Sequence, residues 1–170
     1  QHTISRRQRQ MCIRDRVIRP EGPEGDPLRN RGPFMKSDGD QLSLWHSFFA
    51  SNRTFVSVVD KADLVATQAL QNLAEAADII CVDGQTGFID LEAAKVANPA
   101  LVVIELSSFG DSGPWANYLA PDIVAGALGG AAATTGDVDT PPLKNFGDLN
   151  FMLSGAYVAI AALSALHYQR

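Results

Sequence analysis

DIICVDGQTGFIDLEAAKVANPALVVIEL, Asp78 to Leu106, decides the fold. Asp78 to Val82 is a short apolar run that reads as a buried strand, and Leu101 to Leu106 reads the same way. Between them, Asp90 to Ala97 has the pattern of a short helix with Asp90 as its N-cap, and Asn98-Pro99 stops it. Working upstream, FVSVV (Phe55 to Val59) is a β-branched strand. Asp60 to Ala77 places Leu64, Ala69, Leu70, Leu73 and Ala77 near a 3.6-residue period, with Asp63 in the first turn. Further back, Leu42 to Ser51 offers a helical turn or two. Val17 to Phe34 is a Pro/Gly-rich connector with one short strand at Val17 to Arg19. Downstream, Ser107 to Trp115 is a loop, and the apolar helices Ile123 to Ala133 and Asn150 to His167 flank a second loop, Thr134 to Phe146. This alternation predicts an α/β fold, a Rossmann-like parallel sheet flanked by helices. Ligands in such sheets sit beyond the strand carboxyl ends, which places Asp83 to Thr86 and Ser107 to Gly113 at a binding edge.

The 170 residues are enough for a domain with a core, and 46% hydrophobic with 19% charged residues is the balance of a globular protein. No apolar run reaches the ~18 residues of a spanning helix. Ile123 to Thr134 and Phe151 to Leu166 therefore read as buried helices, and no membrane partner is expected. Two cysteines, Cys12 and Cys81, make no disulfide framework and suit a cytoplasmic location.

The first sixteen residues do not fit the rest. They hold five of the fourteen basic residues (Arg6, Arg7, Arg9, Arg14 and Arg16) and one acid, Asp15. RRQRQMCIRDR, Arg6 to Arg16, reads codon by codon as a translated transposase sequencing adapter. Residues 1–16 are accordingly set aside as a non-native segment. What remains is more acidic than the whole chain's net charge of −5, so no nucleic-acid partner is expected.

GGAAATTGDVDTPPLKNFGD, Gly129 to Asp148, combines small residues that let backbone approach a ligand with one carboxylate at the start of an apolar helix. Asp148 can act as a nucleophile, or it can simply cap that helix, and the two roles are compatible. No metal site is expected, because His46 and His167 have no His or Cys partner at ligand spacing. Gly126, Gly129 and Gly130 do not form GxGxxG, and neither a P-loop nor a GxSxG elbow occurs.

Six ordered elements carry a family resemblance. PEGDPLR (Pro23 to Arg29), SNRT (Ser51 to Thr54), ADIICVDGQTG (Ala77 to Gly87), NPALVVIELSSFGDSGPWA (Asn98 to Ala116), GGAAATTGDVDTPP (Gly129 to Pro142) and FGDLN (Phe146 to Asn150) resemble the class III CoA-transferases of CaiB/BaiF type. That family includes formyl-CoA and carnitine CoA-transferases. The resemblance runs from Val17 to Arg170 and implies part of the large domain of an enzyme that forms an interlocked homodimer. Coenzyme A would enter as an acyl-CoA substrate, with no tightly bound cofactor, and a carboxylic acid would accept it.

The resemblance places the catalytic aspartate on Asp148, acting through an aspartyl anhydride and an aspartyl–CoA thioester. It places CoA contacts on Arg29, Arg53, Asp83, Gly84, Gln85, Ser107, Ser108, Phe109 and Gly110. Asp83 stands where the family usually has Asn, and Ser107 where some members have Lys. The 2-methylacyl-CoA racemases share the fold but use a His before an Asp; here Ala120-Pro121-Asp122 puts a proline at the His position, and proline is neither acid nor base. Because the family is longer than this chain, a further expectation is a fragment that is inactive alone.

Overall fold

Parallel pairing joins the β-branched runs in two ladders. The computed structural model describes residues 16–37, 40–58, 63–83 and 89–169, with Ser37 and Asp83 as backbone only. It forms a mixed α/β protein of two compact units, one up to Gln68 and the other from Ala69.

In the first unit β1 (Val17–Glu21) lies parallel to β4 (Arg53–Ser57), Val17 opposite Arg53 and Glu21 opposite Ser57. Between them a 3-10 turn, Pro27–Asn30, starts where Asp26 accepts the Leu28 amide at 2.9 Å, with proline supplying the first turn's φ. β2 (Phe34–Ser37) and β3 (Asp40–Ser43) then form an antiparallel hairpin. Ser43 ends β3 and caps α1 (Leu44–Phe49), its hydroxyl accepting the His46 amide and donating to the Arg31 carbonyl. The hairpin follows the Val17 to Phe34 connector in a stretch where no element was expected, and its second strand takes Leu42 and Ser43 from the helical turns expected over Leu42 to Ser51. Its strands are four residues long and exposed at Phe34, Met35 and Leu42, so no buried face imprinted an alternating pattern. The missed signal was the Asp38-Gly39 dipeptide, a two-residue hairpin signature.

The second unit holds the expected strand–helix–strand. β5 (Ile79–Asp83) lies parallel to β6 (Val102–Leu106), Ile79 opposite Val102 and Asp83 opposite Leu106. α3 (Leu91–Ala97) connects them, and Asp90 caps it by accepting the Ala93 amide at 3.0 Å. Asn98 closes the helix; its side chain donates to the Ala77 carbonyl and accepts from the Ala100 amide, fixing the entry to β6. α2 (Leu64–Glu75) follows Asp63, whose carboxylate takes the Val65 and Ala66 amides; the expected start at Asp60 lies outside the described residues. From α2, Gln71 grips the backbone of Asp90 with both ends of its amide, at 2.9 and 3.1 Å. Ala74, Ala94 and Leu101 make the core here, with Ile80 and Val103 against them. The small side chains of Ala74 and Ala94 let helices and strands approach closely.

The helix expected over Ile123 to Ala133 is shorter: α4 spans Asp122–Leu128, and a separate 3-10 turn covers Ala132–Thr134. Gly129 closes α4 and Gly130 adopts φ +81°, a left-handed conformation that ends a helix. α5 (Leu149–Gln169) packs on α4 and β6. At 21 residues with no charged side chain it is longer than the run read from sequence, and by length and composition alone it could cross a membrane. Nor is it buried as expected. Among its described residues Ala162 is the buried one, while Phe151, Leu153, Tyr157, Ile160 and Leu163 are exposed.

Candidate functional site

Asp148 sits where a tight turn becomes α5. Gly147 takes φ +67°, which turns the chain, and the Asp148 carbonyl accepts the Met152 amide at 3.0 Å, the first bond of the helix. Asp148 is half-buried, at the end of the helix that carries the positive pole of the backbone dipoles.

A second carboxylate also serves the start of this helix. Asp122, at the start of α4, is only 4% exposed. Its Oδ1 accepts the Phe151 amide at 3.1 Å, and its Oδ2 accepts Asn150 Nδ2 at 3.0 Å. The same Asn150 amide donates to the Asp122 backbone carbonyl at 3.2 Å, so the Asn150 side chain grips Asp122 at two points, one on its side chain and one on its backbone. Lys144 Nζ lies 3.6 Å from Asp122 Oδ2 and donates to the carbonyls of Asn145 and Gly147. Burial pushes the Asp122 carboxyl up. The bonds from Phe151 and Asn150 and the charge of Lys144 outweigh it, leaving the group below its ordinary value and ionised.

Gly126 makes this approach possible. A Cβ there would lie 2.8 Å from Asn150 Nδ2, so the absence of a side chain on α4 is what admits Asn150. Beside this junction is a cleft of about 200 Å³ bounded by Gly126, Ala132, Pro142, Lys144 and Asn150. Thr135 fastens its far wall: its hydroxyl meets Asn145 Oδ1 at 3.2 Å, and its carbonyl takes the Leu143 amide. The small-residue loop thus becomes one side of a cleft adjoining the turn that presents Asp148.

The other residues singled out from sequence fall into three groups. Asp83 ends β5 and Ser107 follows β6, so the parallel register carries both to the carboxyl edge where a ligand was expected. There Ser107 Oγ accepts the Gly110 amide at 3.0 Å, Gly110 adopts φ +83°, Ser108 is exposed, and Phe109 packs edge-on against Trp115 at 6.0 Å. Gly84 and Gln85 lie outside the described residues.

Arg29 and Arg53 belong to the first unit. Arg53 is exposed at the start of β4. Arg29 pairs with Glu21 at 3.2 Å and lies over the Phe55 ring at 4.9 Å, which holds its guanidinium in a fixed plane. Close by, Glu21, Asp26 and His46 bring ligand-type atoms within 4.8 Å of one another. Spacing could not reveal this trio, because a strand, a turn and a helix each supply one member. Arg19 pairs with Asp26 at 3.1 Å as Arg29 does with Glu21, so both carboxylates are already neutralised and the trio offers a cation no net charge.

The profile of CoA-transferase family III matches residues 16–170. The chain is 32% identical to a succinate–glutarate CoA-transferase of Agrobacterium fabrum over 88% of its own length and 40% of that protein's. It is 28% identical to a formyl-CoA:oxalate CoA-transferase of Streptomyces coelicolor, covering 91% of this chain and 37% of the relative. A crystal structure of a CaiB/BaiF family protein from Brucella suis superposes with a TM-score of 0.78 at 27% identity, over 91% of this chain and 42% of that one. The chain therefore spans about 40% of the length of the relatives it matches.

Proposed function

Because the chain belongs to CoA-transferase family III, we propose that it is the portion of a CoA-transferase that carries the nucleophile, Asp148. In this reading the Asp148 carboxylate attacks the carbonyl of an acyl-CoA. The C–S bond breaks, CoA leaves as thiolate, and a mixed anhydride remains on the enzyme. The thiolate attacks the aspartyl carbonyl and expels the donor acid, leaving an aspartyl–CoA thioester. An acceptor carboxylate attacks that thioester and releases the thiolate again. Attack of the thiolate on the acceptor carbonyl then gives the new acyl-CoA and restores Asp148. No proton or electron is consumed overall, so CoA enters as substrate and no bound cofactor takes part in these steps.

The observation that carries this reading is the placement of a half-buried carboxylate at the amino end of a 21-residue helix, beside a cleft walled by the small-residue loop. Pro121, which immediately precedes α4, offers no titratable group where a racemase would need its acid–base histidine. Arg29, Arg53, Asp83 and the Ser107–Gly110 loop, with Gly84 and Gln85, are proposed to hold CoA in a longer cytoplasmic enzyme that works as a homodimer. Turnover is assigned to that longer protein, with the 170 residues inactive alone.

Asp148→Asn in the full-length protein is expected to keep the fold and lower transfer by on the order of 10³-fold or more. Mass spectrometry of the wild type during turnover should find an acyl or CoA adduct on Asp148. Wild-type turnover in the variant, or an adduct on another residue, would overturn the assignment.

A further inference from the structure

We propose that Asp122, acting through Asn150 and Lys144, is a positioning residue that fixes Asp148 for attack; the inference rests on Asp148 being the nucleophile.

Asp148 lies in a turn, and a turn built on Gly147 at positive φ has little stiffness of its own. Two tethers supply it. On the helix side, Asp122 binds the Phe151 amide and the Asn150 side chain, fixing the first turn of α5 immediately after Asp148. On the turn side, Lys144 holds the carbonyls of Asn145 and Gly147, immediately before Asp148, while its charge lies against Asp122. Asp148 is thus bracketed by two tethers that converge on one buried carboxylate. Asp122 precedes Asn150 and Phe151 by 28 and 29 residues, so this is a tertiary device rather than a local cap.

Chemistry explains why such a device matters here. Forming the anhydride removes the Asp148 charge and engages one of its oxygens in the new C–O bond, and the thioester keeps only one oxygen, so any hydrogen bond from that side chain to the helix start weakens at each step. A helix start held by Asp122 stays closed through every covalent intermediate. The Phe151 amide is then held by a group that acylation of Asp148 leaves unchanged.

The test uses the full-length protein with three variants: Asp122→Ala, Asp122→Asn and Gly126→Ala. The last removes no polar group and only displaces Asn150. Asp122→Ala should lower kcat by roughly 10- to 100-fold, the scale of an ångström-sized misplacement of a reacting group, with KM for acyl-CoA changed less than about threefold. Asp122→Asn keeps an oxygen for the Phe151 amide and should recover part of that loss. Gly126→Ala should lower kcat in the same direction. Hydrogen exchange should quicken at the Asn150 and Phe151 amides in all three, least in Asp122→Asn, while amides around Ala162 keep wild-type protection.

Three results would overturn the proposal. One is kcat within twofold of wild type in Asp122→Ala despite faster exchange at Phe151, which would make Asp122 a cap and nothing more. Another is a fall confined to KM. The third is unchanged kcat in Gly126→Ala with Asn150 displaced, an arm that decides even where Asp122→Ala fails to fold. Asp148→Asn run in parallel separates the two ideas: if it keeps turnover, the transfer reading fails on its own, and the exchange data alone judge the tether.

Discussion

Gly126→Ala offers a test whose sign is opposite under local and tertiary reasoning. Gly126 lies within α4, a right-handed helix where alanine is favoured over glycine by about 1 kcal/mol. Helix propensity alone therefore predicts a more stable protein. The tertiary geometry predicts the reverse. The added Cβ would lie 2.8 Å from Asn150 Nδ2, 3.5 Å from its Cγ and 3.6 Å from its Oδ1. Relief requires the Asn150 amide to retreat by roughly half an ångström or more, stretching bonds now at 3.0 and 3.2 Å beyond useful hydrogen-bond length. The first of these is to an ionised, buried carboxylate and is worth about 1.5–3 kcal/mol, the second about 1 kcal/mol. Setting these losses against the helix gain leaves a net destabilisation of roughly 1–3 kcal/mol. Urea unfolding of the full-length variant, followed by a probe in the α4–α5 region, measures the difference. A variant as stable as wild type or more so, with unchanged exchange at Asn150, would refute the claim that this glycine exists to admit that side chain.

Other expectations follow from single groups. The folded Asp122 carboxyl titrates below its ordinary value of 3.8, so its contribution is fully present above that value and is lost as pH falls through the folded pKa. Urea midpoints measured between pH 6 and pH 3 should fall less steeply in Asp122→Asn than in wild type, and parallel curves would remove Asp122 from the acid response. Asp90→Ala removes the α3 cap and should cost about 1 kcal/mol by the same measurement, while Asp90→Asn should cost less than half of that. Arg29→Ala in the full-length enzyme should raise KM for acyl-CoA about tenfold with little change in kcat, since its part-exposed pair with Glu21 carries only ~0–1 kcal/mol of stability. An unchanged KM would withdraw Arg29 from the CoA site.

Where the sequence spoke clearly, one physical periodicity dominated. The runs around Ile79 and Val102 are apolar without alternation because β5 and β6 flank a helix, and the Asp90 cap was visible because its partner lies three residues away. Legibility failed in two ways. The β2–β3 hairpin buries too little to leave a pattern, and α5 exposes an apolar face that composition alone assigned to a core.

By itself the sequence determined the strand–helix–strand order, the carboxyl-edge placement of Asp83 and Ser107, and the motifs of the transferase family. Each of these depends on neighbours within a few residues or on ordered short segments. Only the tertiary structure decided that Asp122 binds the start of α5. Asp148 and Asp122 both stand at the start of apolar helices, and nothing in their local sequence separates the proposed nucleophile from the proposed tether. The difference lies in Gly126, whose missing side chain lets Asn150 reach Asp122, and in Lys144, which adds its charge to that contact. A hydrogen bond across 28 residues leaves no spacing to read, because the fold sets its distance and the chain does not.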